Sequence, residues 1–434
     1  MFSPLGNATY RRLFLAQVVA LLGTGMATVA LALLAHDLGG ASSGEILGVA
    51  LAIKMVAYIT VAPFASALAF NVPRKALLIA LDVVRAGVAV ALLFVSDVWQ
   101  VYGLMALLYV ASAAFTPAFQ SMIPDVLPDD EQYTKALSLS RLAADLESVA
   151  SPVLAAVLLS VMTYSNLFAG TAIGFVVSAV LVLSALLPTV LSARPKPFLQ
   201  RLTVGFRLFA LTPRLRGLLA ISFATAAGGA MIFVNTVVIV QTRLELGPEA
   251  TAWALAAFGA GSMFAALFVP RLLDYMSDRW LVIAGGAMMV AGLLAGAFHH
   301  HEGYTDLLVL WFNIGVGYSF TVTPAGRALR RSAAPGDRRA LFAAHFALSH
   351  GCWLLAYPVA GLIGATWGIP AAFGVLATLC GLGTLGAWLF WPSEDPEAIS
   401  HDHSDLPPDH PHLTEHGVDH VHPYVIDDLH PRWK

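Results

Sequence analysis

The sequence predicts an all-α integral membrane protein of about twelve transmembrane helices in two pseudo-symmetric six-helix halves, and three observations predict it. The first is composition: 434 residues that are 58% hydrophobic and only 12% charged, with a mean hydropathy of +0.74, have too little polar surface for a water-soluble fold. The second is the length of the apolar runs. Leu13–Leu34, Ile46–Phe70, Ala76–Val95 and Leu167–Leu187 are each close to the ~20 residues that cross a bilayer as helix. The third is an internal repeat of proline sites. Pro63 and Pro270, and the triplets Thr116-Pro117-Ala118 and Thr323-Pro324-Ala325, share one offset, and Ala150-Ser151-Pro152-Val153 echoes Ala356-Tyr357-Pro358-Val359 at nearly that offset.

These runs are read as helices because lipid offers no partner to a backbone N–H or C=O, so each segment must satisfy its own. Barrel strands would be shorter and would alternate. The apolar runs place spans near 13–35, 46–70, 75–96, 99–120, 138–162, 166–188, 217–241, 251–271, 280–298, 306–328, 340–364 and 368–391. Residues 1–190 then form an N-terminal six-helix bundle, 191–216 a basic linker, 217–391 a C-terminal six-helix bundle and 392–434 a disordered His/Asp-rich tail. The first run is too long for the apolar core of a cleaved signal peptide. The two cysteines, Cys352 and Cys380, lie inside apolar runs and imply no disulfide framework.

Charge sets the expected orientation. With the N-terminus inside, only Lys54, Arg85 and Arg243 of the 24 Lys and Arg residues fall outside cytoplasmic segments. The positive-inside rule therefore expects a multi-pass protein of the cytoplasmic membrane with both termini in the cytoplasm. No G-x-x-x-x-G-K-[ST] phosphate loop, zinc-protease motif or Ser-His-Asp pattern is present, so neither ATP-driven transport nor an enzyme is expected. A repeat of this kind is typical of secondary transporters, whose substrate path lies between the halves.

Two halves of six spans resemble the major facilitator superfamily across roughly residues 1–391. The stretches Ile53–Tyr58, Phe115–Gln120, Ala136–Leu142 and Phe346–Trp353 look more specifically like its nickel-resistance exporters, which carry histidine-rich tails. The sequence departs from the general pattern where Ser66 and Phe70 stand in place of Gly and Asp ahead of Arg74-Lys75, and where Ser151-Pro152 replaces Gly-Pro. The resemblance implies proton-coupled export of a divalent transition metal, nickel or cobalt, by a monomer with no tightly bound cofactor and no nucleic-acid partner. A drug or other organic exporter of the same superfamily is the first alternative, and a metal-responsive membrane sensor is the second.

A charge at the centre of a membrane helix costs about 3 kcal/mol or more, which makes each one a functional candidate. Asp82 and Arg85 share a helix face and can neutralise each other, as can Arg141 and Asp145. Lys54 lies too far from Asp82 in depth to pair with it, so it either snorkels or meets another acid. Glu147 has no partner evident from spacing. Through the repeat, Asp145 and Glu147 correspond within one residue to His350 and Cys352 of span eleven.

Imidazole and thiolate are suitable ligands for nickel, cobalt, zinc or copper, and a carboxylate can exchange a proton for the ion. His345, Ser349 and Cys352 share one helix face while His350 points elsewhere, so span eleven alone cannot form a four-ligand site. His345, His350 and Cys352 are therefore candidate transient ligands, or else a packing histidine and an inert thiol. By resemblance, spans one, four, seven and ten line the cavity and add Gln17, Asn235, Asn313 and Tyr318, each of which could instead bond helix to helix.

After Trp391-Pro392 the composition turns polar and acidic. This segment holds eight of the fourteen histidines: His401, His403, His410, His412, His416, His420, His422 and His430. Interleaved Asp residues add oxygen donors, and the natural reading is a flexible appendage that binds the transported metal. The run His299-His300-His301 lies between spans nine and ten and is expected outside.

Overall fold

The computed structural model describes residues 1–39, 43–188, 197–298, 303–396, 398–402, 419–427, 429–430 and 432–433. The His299-His300-His301 run, the linker residues 191–196 and His403, His410, His412 and His416 lie outside the described residues.

Six long helices form the first half: α1 Ala8–Gly39, α2 Ser43–Leu68, α3 Arg74–Ala91, α4 Val98–Gln120, α5 Asp130–Leu159 and α6 Ser165–Ser184. Six more form the second: α7 Pro213–Val237, α8 Pro248–Leu272, α9 Asp278–Phe298, α10 Tyr304–Val322, α11 Arg338–Trp367 and α12 Ile369–Phe390. Eleven of these are long and apolar enough to cross a membrane. The twelfth, α5, has the length at 30 residues but carries Asp130, Glu131, Lys135, Arg141, Asp145 and Glu147. Its charges lower its hydropathy, and its packing places it with the spans. It starts eight residues before the expected position 138, because the helix continues past its apolar stretch to a cap at Asp129, whose side chain accepts from the Gln132 amide at 2.8 Å.

The halves repeat one another in packing as well as in sequence. α1 lies on α6 as α7 lies on α12, α2 on α4 as α8 on α10, and α3 on α6 as α9 on α12. The halves meet along two equivalent seams, α2 against α11 and α5 against α8. Pro63, Pro117, Pro270 and Pro358 lie inside α2, α4, α8 and α11, whereas Pro324 falls after α10 and starts the short helix Ala325–Arg331. Neighbouring helices in lipid can re-satisfy the carbonyls that such prolines release.

The helix ends on the side of both termini are basic, and ion pairs close that face between the halves. Asp125, after α4, accepts from Arg74 at 2.5 Å and also from Arg338 at the start of α11. Arg330 pairs with Asp130 at 2.6 Å, and the Tyr133 hydroxyl donates to the Gly326 carbonyl at 3.2 Å. An amphipathic helix, Phe198–Leu211, links the halves along this face and packs on α2 and α11.

The tail was expected to be disordered, and its described residues correct that. Strand β1, Ala398–Asp402, pairs antiparallel with β2, Asp419–Pro423, with the backbone of His401 opposite that of His420 and Ile399 opposite His422. Beyond β2, Tyr424 and Ile426 are buried in the core of the second half with Leu215 and Trp391. The apolar side chains Tyr424, Ile426 and Trp433 supply the burial that a uniformly polar tail would lack.

Candidate functional site

The groups that could bind or couple lie along the two seams. At the first, Lys54 of α2 points inward with its ammonium 5.6 Å from the ring centre of Tyr58 and 6.0 Å from that of Tyr109 on α4. The ring faces offer the cation partial compensation. Glu147 of α5 also interacts electrostatically with Lys54 across the first half, without a direct ion pair among the described residues. α1 closes against this acid at Gly25, where a Cβ would lie 2.6 Å from Glu147 Oε1 and 2.2 Å from Ser151 Oγ, so only glycine fits.

α11 brings His350 to the same place. Its ring stands edge-on to Tyr58 at 4.9 Å and against Phe346 at 4.2 Å, within electrostatic reach of Lys54. Its Nδ1 lies 2.7 Å from the Phe346 carbonyl oxygen. A carbonyl only accepts, so Nδ1 carries a proton and, in the neutral ring, Nε2 is the nitrogen with the lone pair.

At the second seam, Arg141 and Asp145 form the expected pair, with Arg141 Nε 3.0 Å from Asp145 Oδ2 and a second contact from the other end of the guanidinium. Ser262 of α8 donates to the same Oδ2 at 2.6 Å, and Tyr318 of α10 lies under the guanidinium with its centroid 5.2 Å away. Tyr318 continues into a wall of rings from the second half. Phe258 is 5.3 Å from Tyr318, Phe233 is 5.6 Å from Phe258, and Trp353 is 5.9 Å from Phe233 and 5.1 Å from Tyr357.

The remaining candidates have structural partners. Asp82 and Arg85 form a buried pair; Ser178 donates to Asp82 at 2.8 Å, and Arg85 lies 3.9 Å and 4.5 Å from the rings of Phe115 and Phe175, which ties α3 to α4 and α6. Gln17 accepts from Ser140 at 3.1 Å, Asn235 donates to the Ala360 carbonyl at 3.2 Å, and Asn313 is exposed and folds back to Val309 of its own helix at 2.8 Å. His345 turns away from His350 and stacks on Phe209 of the linker helix at 6.0 Å. Cys352 is buried in the core of the second half, and Cys380 is also free and buried. His430 bonds Asp427 at 2.9 Å and packs on Tyr424. Among the described residues, no three His, Cys, Asp or Glu side chains converge as a metal site.

Sequence reasoning left Tyr109, Ser262, Phe258, Phe233 and Tyr357 out of the site. Tyr58, Phe346 and Trp353 stood only in the resembling stretches, although Tyr58 is four residues after Lys54 and Phe346 four before His350, a spacing that shares a helix face.

Twelve helices in two equivalent sets that meet along two seams define a membrane transporter rather than an enzyme. The Major Facilitator Superfamily profile matches residues 13–247 and 218–410, and the chain belongs to that superfamily. It is 23% identical over 348 residues to the uncharacterized MFS-type transporter YfiS of Bacillus subtilis (strain 168), covering 75% of this chain and 81% of that one. The fold is similar to that of the human organic anion transporter MFSD10 (TETRAN), with a TM-score of 0.68 at 13% identity over 88% of this chain and 99% of that one. It is also similar to the proton:xylose symporter XylE bound to 6-bromo-6-deoxy-D-glucose, with a TM-score of 0.71 at 13% identity over 89% and 96% of the two chains.

Proposed function

We propose that the chain is a proton-coupled secondary transporter of small organic molecules, with Glu147 as the proton-carrying group and the aromatic wall as the substrate surface. The observation that carries this reading is the electrostatic interaction of Lys54 with Glu147 beside the α2–α11 seam, with His350 of the other half against Tyr58, the ring that Lys54 also approaches. With Glu147 ionised the two charges compensate; a proton on Glu147 leaves Lys54 uncompensated in a low-dielectric site, which favours a rearrangement of α2 against α5 and α11. Coupling then follows because one seam carries both the proton and the contact between halves. The rings of Phe233, Phe258, Tyr318, Trp353 and Tyr357 suit an apolar or aromatic solute, and Arg141 with Asp145 adds polar recognition at its edge. By the positive-inside rule, the basic face lies in the cytoplasm and the chain works in the cytoplasmic membrane as a monomer.

The test is solute flux in proteoliposomes with an imposed pH gradient, across a panel of aromatic organic cations and anions together with Ni²⁺ and Co²⁺. Wild type should move an organic solute faster with the gradient, and Glu147→Gln should lose the gradient dependence while keeping downhill exchange. Gradient-independent flux in the wild type, or unchanged coupling in the variant, overturns the reading.

A second reading, export of nickel or cobalt, is favoured by the eight tail histidines and by the orientation of His350, whose Nε2 can ligate. It predicts nickel flux that His350→Ala abolishes and Trp353→Ala leaves intact.

A further inference from the structure

At the basic end of the α2–α11 seam, a cavity of about 490 Å³ opens between the α2–α3 turn, the ends of α4 and α6, the start of α11 and the linker helix Phe198–Leu211. Four cations line it, Arg74, Lys75, Arg201 and Arg339, against two carboxylates, Asp125 and Asp337. Asp125 is engaged by Arg74 and Arg338. The other three cations lean on backbone carbonyls: Lys75 on Ala185 at 2.9 Å, Arg201 on Ala67 at 3.3 Å and Arg339 on Ala69 at 2.6 Å. Among the described residues none of these three forms an ion pair, and Arg201 Nε is buried without a hydrogen-bond partner. A carbonyl supplies a dipole and no net charge, so the cavity keeps an excess of positive charge that an anion would neutralise.

Apart from Ser66 and Asn71, the rest of the lining is mainly apolar and includes Phe70, Val72, Met122, Val126, Leu186 and Val204. Leucines at its rim and beside it along the chain are exposed. Leu186 is 80% exposed, Leu68 is 70% and Leu199 is 68%. Leucines left this open at the ends of membrane helices belong against acyl chains rather than water. A free inorganic anion would use the cations and leave this apolar surface unused.

We propose that the cavity binds the headgroup phosphate of an anionic phospholipid from the leaflet at the basic face, with its acyl chains along Leu68, Leu186 and Leu199. The phosphate bridges Lys75 of the first half, Arg201 of the linker and Arg339 of the second half. It therefore adds a tie between the halves at the face that Asp125 already closes. The same positive character that orients the chain supplies the lipid site.

The experiment titrates the purified full chain in neutral detergent with fluorescently labelled phosphatidylglycerol, labelled phosphatidylcholine and inorganic phosphate as competitor. Saturable binding of phosphatidylglycerol, roughly tenfold tighter than phosphatidylcholine and unaffected by millimolar phosphate, is expected. Lys75→Gln/Arg201→Gln should weaken it by about tenfold or more, and Arg201→Gln alone, on the linker helix, by several-fold. Arg243→Gln, beyond the far end of α7, should bind as wild type. Equal binding of the two lipids, displacement by phosphate, or full binding by Arg201→Gln of unchanged melting temperature overturns the proposal.

Discussion

Ser262 on α8 donates a 2.6 Å hydrogen bond to Asp145 on α5, so the carboxylate that Arg141 holds from within its own helix is also held from the opposite half. The two bonds differ in kind. Losing Asp145 strands a guanidinium in a site of low exposure, a change that costs about 3–5 kcal/mol for a buried pair. Losing the serine hydroxyl removes one bond to a charged acceptor, about 1.5–3 kcal/mol. Asp145→Asn should therefore lower both melting temperature and flux further than Ser262→Ala. Equal effects, or none from Asp145→Asn, would show that the Arg141–Asp145 pair is not the stronger of the two interactions.

Asp125 is the corresponding tie on the basic face, since Arg74 reaches it from the first half and Arg338 from the second. Each pair is partly exposed and contributes up to about 1 kcal/mol. Asp125→Asn should then shift the balance between closed and open at this face by several-fold. Labelling of Ser66→Cys, in a background with Cys352 and Cys380 replaced by alanine, reads the change from the basic side. A rate equal to that of the parent would remove Asp125 from the gate.

What could be read from the residues follows the range of each interaction. Spans were legible because lipid leaves the backbone one solution, and Asp82–Arg85 and Arg141–Asp145 because a helix fixes which residues share a face. Glu147 had no partner evident from spacing, and the fold brings it within electrostatic reach of Lys54, 93 positions away in the chain, which no periodicity reports. Arg338 and Arg330 were legible as topology signals, but their partners Asp125 and Asp130 lie in the other half. The tail was read from its composition, which is polar on average, and the average hides Tyr424, Ile426 and Trp433 in its last turns.

The start of the tail carries a separate structural role. Asp395 lies 3.2 Å from buried Arg214 and 3.6 Å from Arg331, and accepts from the Trp391 indole at 3.2 Å. A chain ending at Pro392 loses this carboxylate, whereas one ending at Pro396 keeps it and loses the strand pair, the packing around Tyr424 and the Trp433 ring over Arg214. The shorter chain should melt several degrees lower than the longer one, since removing one partner of a buried ion pair costs about 3–5 kcal/mol. Identical melting curves would show that Asp395 does not hold the second half. Flux changes seen only at Pro392 then report loss of the Asp395 tie.

Trp353 separates the two readings of the cargo. Its ring fits against α7 because residue 229 is glycine: a Cβ there would lie 2.2 Å from the indole. So placed, the indole joins Phe233, Tyr318 and Tyr357 in one aromatic surface. Stacking on such a ring contributes on the order of 1 kcal/mol beyond the area it covers. Trp353→Ala should therefore raise the KM for an organic solute by about tenfold. Gradient dependence should survive, because Lys54 and Glu147 are untouched. A metal ion gains nothing from this face, so a nickel KM that rises as far would count against metal transport along the histidine side of α11. An organic KM that does not move would remove the aromatic wall from the substrate path.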